Sequence, residues 1–147
     1  MCLLTFIASA QKKKITVDDD TIKINGAPYG VIEKKSGLSF DFKIKSLQGK
    51  DLIYFQFQEF NNPGKANASN PQGRVTYFDV SFLNDGQKCE VECPGTKKGV
   101  AKIVAENDLL KDNDVNPDSE KSFVLINGKK FSEEKQQVNG PKVIIVH

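Results

Sequence analysis

Aromatic and branched side chains alternate with polar ones in three separate runs of this sequence, and that alternation commits much of the chain to a sheet with one buried face. Over Asp51–Phe60, Ile53, Phe55 and Phe57 share one face while Tyr54, Gln56 and Gln58 share the other. Over Val75–Leu83, Phe78, Val80 and Phe82 point one way, and Tyr77, Asp79 and Ser81 the other. Leu38, Phe40, Phe42 and Ile44 alternate in the same manner with Ser39, Asp41, Lys43 and Lys45. Successive side chains leave opposite sides of a strand, so a period of two marks a strand half-buried against a core.

The segments between these runs read as turns. Ile15–Val17 and Thr21–Ile24 are short β-prone stretches separated by Asp18-Asp19-Asp20. Asn25-Gly26 follows directly and tolerates the positive φ angles of a tight hairpin before Tyr29–Glu33. Gly49 marks a turn over Ser46–Lys50. Asn61–Gly73, with two Pro, two Gly and four Asn, is expected to be an exposed loop. Asn84-Asp85-Gly86 turns the chain before Lys88–Glu92. Short connections between consecutive strands imply an antiparallel meander.

The pattern changes after Cys93-Pro94-Gly95. Val100, Ile103, Val104 and Asn107 fall on helical spacing, with a strand over Val100–Val104 as the alternative. Asn116-Pro117-Asp118-Ser119-Glu120 has the form of a helix start: Asn to cap free amides, Pro in the first turn, acids at the positive end of the dipole. Phe123–Ile126 supplies the buried stretch and Gly128 the stop, while Lys142–Val146 reads as a final strand. The expected fold is a single α+β domain: an antiparallel β-sheet meander of five to seven strands, with two helices in the C-terminal third on its apolar face.

Composition fits one folded domain and excludes several functions. In 147 residues the chain has ten Phe, three Tyr and 38% hydrophobic residues, enough to bury a core. Its 21 basic and 19 acidic residues argue against nucleic acid as the main partner. No run approaches the roughly 18–20 apolar residues needed to cross a bilayer. The first ten residues are uncharged and mostly apolar and end in Ala8-Ser9-Ala10, the form of a signal-peptide core and its cleavage site. Residues 1–10 are therefore expected to be the remnant of a signal, although no positive segment precedes the apolar run, and residues 11–147 the mature domain. A buried first strand is the alternative. Cleavage after Ala10 would place the protein in the periplasm or outside the cell.

Few residues carry the signature of chemistry. Cys89 and Cys93 would lie on one strand face about 13 Å apart, too far for a disulfide unless Pro94-Gly95 bends the strand. Oxidation after export argues for the bond, and geometry for two buried thiols. His147, the one histidine, is the last residue, where little packing holds a general base. Asp18-Asp19-Asp20 reads as a solvated turn before a cation site, and Lys12–Lys14 as a weak attraction for anionic surfaces. No catalytic, metal or cofactor residues stand out. Seven of the ten Phe fall between Phe40 and Phe82, either as a dry core or as the lining of an apolar cavity. Tyr54 and Tyr77, with Gln56 and Gln58, are candidates for an interaction surface on the other face.

Five stretches, Thr21–Ile32, Ser46–Ile53, Asn70–Phe78, Val100–Val104 and Phe123–Ser132, together with the Ala8–Gln11 junction, carry a resemblance. Taken together the chain resembles small uncharacterised exported proteins of Bacteroidetes-type bacteria. The resemblance implies an envelope or secreted location and a sheet with helices, and transfers no functional residue. The leading expectation is a non-enzymatic module of the cell envelope acting through contacts with another protein. The alternative is a carrier of a small hydrophobic ligand or lipid in a Phe-lined cavity.

Overall fold

The computed structural model describes residues 12–35, 37 and 40–140. The segment expected to be a signal, the final strand over Lys142–Val146, Leu38, Ser39 and His147 lie outside the described residues. Seven antiparallel strands follow one another in space in chain order: β1 (Ile15–Asp18), β2 (Thr21–Ile24), β3 (Ala27–Lys34), β4 (Phe42–Lys45), β5 (Asp51–Asn61), β6 (Arg74–Phe82) and β7 (Lys88–Glu92). Then come α1 (Lys97–Glu106), a small hairpin of β8 (Leu110–Lys111) and β9 (Asp114–Val115), α2 (Pro117–Asn127) and α3 (Lys130–Asn139). The architecture is α+β, as the alternation and the helical spacing imply.

The turns form for local reasons. Asp19 and Asp20 have φ of 44° and 70°, so the acidic run closes the β1–β2 hairpin, with Asp18 on Lys23 and Asp20 on Lys97. Asn25 and Gly26 have φ of 52° and 83° and close β2–β3. Facing strands place three rows of side chains on one side of the sheet. Ile32, Ile44, Ile53 and Phe82 form the first, and Phe42, Phe55, Val80 and Cys89 the second. Phe57, Phe78 and Val91 form the third. Burying each large member is worth roughly 1.5–3 kcal/mol, so this face is the main source of stability.

Two helices cover that face in part. Thr96 caps α1 by accepting from the Gly99 amide at 2.9 Å, and Val100, Ala101, Val104 and Ala105 pack onto β1–β3. On α2, Phe123 meets Phe82 edge-on at 6.2 Å between ring centres, and Gly128 ends the helix with φ 56°. Asn116 precedes α2 as expected, but its side chain makes no capping bond. The β8–β9 hairpin is held by the Tyr29 hydroxyl, which donates to the Leu110 carbonyl at 2.9 Å and accepts from the Leu110 amide at 2.8 Å.

A third helix, α3, lies beyond the expectation of two. It crosses to the opposite face, where Phe131 stacks on Tyr77 at 5.0 Å and joins Phe60 and Val75 in a second small cluster. Lys129 gives α3 no side-chain cap. Instead Glu90, from the middle of β7, accepts from the Ser132 amide at 2.8 Å and from the Ser132 hydroxyl. The Glu90 amide in turn donates to the Gly128 carbonyl at 2.8 Å, so the α2–α3 corner straddles the edge strand.

Candidate ligand-binding cavity

Beside the third row, where Phe78 and Val91 are buried and Phe57 is half-buried, the apolar face of the sheet opens into a cavity. The cavity there has a volume of about 500 Å³. Its floor is Phe78, only 1% exposed, with Phe42 beside it at 6.1 Å between ring centres. Phe57 stands half-buried 6.3 Å from Phe78 and 5.3 Å from Phe40. Phe40 itself is 55% exposed at the mouth, with the Lys34 ammonium 5.7 Å from its ring centre. Phe40 therefore does not extend β4 as the alternation implies; the strand begins at Phe42, and Asp41 turns back to accept from the Phe57 amide at 2.8 Å.

The opposite wall is the loop between β5 and β6, and asparagine side chains build it. Asn67 accepts from the amides of Ser69 and Asn70 at 3.0 and 2.8 Å, and Asn70 brackets Arg74 by accepting from its amide and donating to its carbonyl, both at 2.9 Å. Ser69, Asn70 and Arg74 thereby form a polar rim. The Arg74 guanidinium is neutralised by Glu59, with Nε and Nη2 at 2.6 and 2.5 Å from one carboxylate oxygen. An aromatic floor with a neutralised rim suits an uncharged apolar molecule better than an acid or a base.

The lining of this cavity includes the Cys93 thiol. The structure carries Cys89 and Cys93 as free thiols, on the same sheet face. β7 stays paired with β6 through Cys93, whose amide donates to the Thr76 carbonyl at 3.3 Å, so the strand does not bend between the two cysteines. They differ sharply in environment. Burial, and then the charges of Asp79 and Glu90, push the Cys89 thiol up to about 12, whereas Cys93 is half-buried at the cavity wall. In a Cys2→Ser chain, iodoacetamide at pH 8 is expected to add once, at Cys93, and to reach Cys89 only after denaturation. Two rapid adducts in intact-mass measurements on the folded protein would contradict this placement.

The two tyrosines do not form a shared open surface. Tyr77 is 4% exposed beneath Phe131. Tyr54 is half-buried, its hydroxyl donating to Asp41 at 2.9 Å and accepting from the Lys35 ammonium at 3.2 Å. Both side chains serve local packing instead. Among the described residues no group of three or more His, Cys, Asp and Glu is placed to hold a metal, and no helix is long and apolar enough to cross a membrane.

Sequence reasoning missed one pair of groups. Glu120 lies on the first turn of α2, where an acid complements the helix dipole, yet it is buried and faces Asp85 of the β6–β7 turn. Burial, and then Asp85, raise the Glu120 carboxyl to about 7, while the bond with Glu120 holds Asp85 below its usual range. A raised carboxyl means the folded state keeps a proton that the unfolded chain releases. Its contribution to stability is complete below about pH 4.5, the ordinary value, and is lost as pH rises through about 7. Asp85 works in the opposite sense and only near pH 4 and below. The melting temperature is therefore expected to fall between pH 5 and 8, and Glu120→Gln to remove the slope and stabilise the protein at pH 8 by about 1 kcal/mol. A flat melting profile over that range would contradict the pairing.

Comparison with protein families, curated proteins and solved structures finds no match to this chain.

Proposed function

We propose that this chain is a non-enzymatic binding module that takes a small uncharged apolar ligand into the Phe-lined cavity. The observation that carries the reading is the incomplete cover of the sheet: Phe57 and Phe40 present aromatic surface to a concavity of about 500 Å³ that no helix among the described residues fills. Exposed apolar area costs roughly 25 cal/mol per Å², and a bound apolar molecule recovers it. The volume falls within the range of about 300–1,000 Å³ usual for small-molecule sites. Cys93 shares the cavity with Arg74, Ser69, Asn70 and Thr76, none of which is a general base for it, and this supports binding over catalysis. The Ala8-Ser9-Ala10 pattern supports a role in the periplasm or outside the cell.

The test uses N-phenyl-1-naphthylamine, an uncharged aromatic probe. Its fluorescence is expected to rise to saturation at one probe per chain, and its binding to slow alkylation of Cys93 in proportion to occupancy. Phe40→Ala, at an exposed position, is expected to weaken the probe without altering the fold. Unchanged Cys93 alkylation at probe saturation would overturn the reading.

Engagement of an envelope protein is a second reading, favoured by Leu125 and Ile126, which are 82% and 80% exposed on α2. A photo-crosslinker at position 126 is expected to give one discrete adduct in cells, and a diffuse smear would count against it.

A further inference from the structure

A second concavity, of about 530 Å³, opens between α2 and the β6–β7 turn. Pro117, Val124 and Leu125 supply an apolar wall, while Asp85, Glu120 and Lys121 are its charged groups. Glu120 is 3% exposed. One of its oxygens, Oε2, accepts from Asn84 Nδ2 at 3.1 Å. The other, Oε1, is buried and receives no protein donor among the described residues, and the Asp85 carboxyl is a close neighbour of the Glu120 side chain. A buried acceptor facing a second acid is unfavourable unless a proton or a cation lies between them. Two carboxylates against one ammonium, Lys121, leave the pocket with room for one further positive charge.

We propose that this pocket binds a primary ammonium carried on an aliphatic stem. The ammonium donates to Glu120 Oε1 and to Asp85, replacing the proton that the acids otherwise share, and the stem lies along Pro117, Val124 and Leu125. One proton leaves for each ligand bound, so charge balances. Three donors on a compact head match two carboxylates and leave one bond for Gln87 or solvent. Calcium fits less well, because it requires six or more oxygens and the side chains of Pro117, Val124 and Leu125 in the lining offer it none. A free alkylamine and a lysine side chain of another protein present the same chemistry. Leu83 and Ile126, exposed on either side of the pocket residues in sequence, would bury against the latter.

The experiment is a titration followed by amide chemical shifts, using hexylammonium chloride, 1-hexanol, calcium chloride and the peptide acetyl-Gly-Leu-Lys-Leu-Gly-amide. Hexylammonium is expected to shift residues 84–87 and 120–125 to saturation, roughly tenfold more tightly at pH 8 than at pH 6, as one displaced proton with a pKa of about 7 requires. Glu120→Gln is expected to abolish that binding. Asp85→Asn, on an exposed turn, is expected to weaken it and tests the second acid independently of the first. Tighter binding of the peptide assigns the ammonium to a protein lysine, and tighter binding of hexylammonium assigns it to a free amine. Equal shifts from 1-hexanol or calcium, or hexylammonium shifts that survive both substitutions, overturn the proposal. The Phe-lined cavity is untouched by these variants, so the two sites stand or fall separately.

Discussion

Phe78→Ala is expected to cost about 3–5 kcal/mol of stability, the largest effect of any single substitution in the sheet. Phe78 is the centre of an aromatic cluster, with ring centres of Phe55, Phe42 and Phe57 at 5.7, 6.1 and 6.3 Å. Three of these contacts are edge-on, the favoured geometry for rings with a negative face and a positive rim. Truncation removes the ring's transfer energy and leaves a hole that Phe55 and Val91 cannot close, because both are fixed by the register of their strands. The hole would also join the ligand cavity, so the same substitution is expected to abolish saturable binding of N-phenyl-1-naphthylamine. Phe40→Ala supplies the contrast, with a loss below about 1 kcal/mol, since its ring is already half in water. Urea unfolding followed by circular dichroism decides the matter, and a shift in Phe78→Ala no larger than in Phe40→Ala would refute the assignment of Phe78 as the floor.

Gly73→Ala comes second, at about 2–4 kcal/mol. Gly73 has φ +63°, the left-handed region that an L side chain enters at a cost of about 1–2 kcal/mol. A Cβ there would also stand 1.9 Å from the Asn62 carbonyl oxygen and 2.7 Å from its carbon. Both are backbone atoms, so no side-chain rotation relieves the overlap. The chain must part instead, breaking the bond in which the Asn62 amide donates to the Gly73 carbonyl at 2.8 Å. That bond closes the base of the asparagine-built loop, and its loss would swing Ser69 and Asn70 away from the cavity. Faster alkylation of Cys93 is therefore expected alongside the lower melting temperature. Gly86→Ala is the control, because Gly86 has φ +77° but open space around it. Should the two variants melt together, the closure attributed to Gly73 would be wrong.

The sheet was legible because its evidence is local. Period-two runs name the buried face of β5 and β6, and the positive-φ residues Asp19-Asp20 and Asn25-Gly26 sit where two turns must be. α1 was legible from the spacing of Val100, Ile103 and Val104. α3 was not, since its main anchor is Phe131 and its cap is Glu90, 42 residues earlier in the chain than Ser132. Separation in sequence also hides the burial of Tyr77, which alternation places on the solvated side and Phe131 covers. Alternation likewise tells which face is apolar but not how far the helices reach across it, and that reach separates a dry core from a cavity. Glu120 shows the limit from the other side: its place in the first turn of α2 explains a carboxylate there, and only the packing of the β6–β7 turn explains why it is buried.

The corner at Gly128 has a consequence for how these molecules behave in a crowd. A sheet polymerises through its edges, where unpaired amides and carbonyls invite a strand from another chain. At the centre of β7 the outward Glu90 amide is already taken by the Gly128 carbonyl, and the Glu90 carboxylate pins α3 behind it. A second chain cannot extend the ladder there without first prising off a helix. The corner between α2 and α3 thus acts as a stopper on fibre growth at that edge.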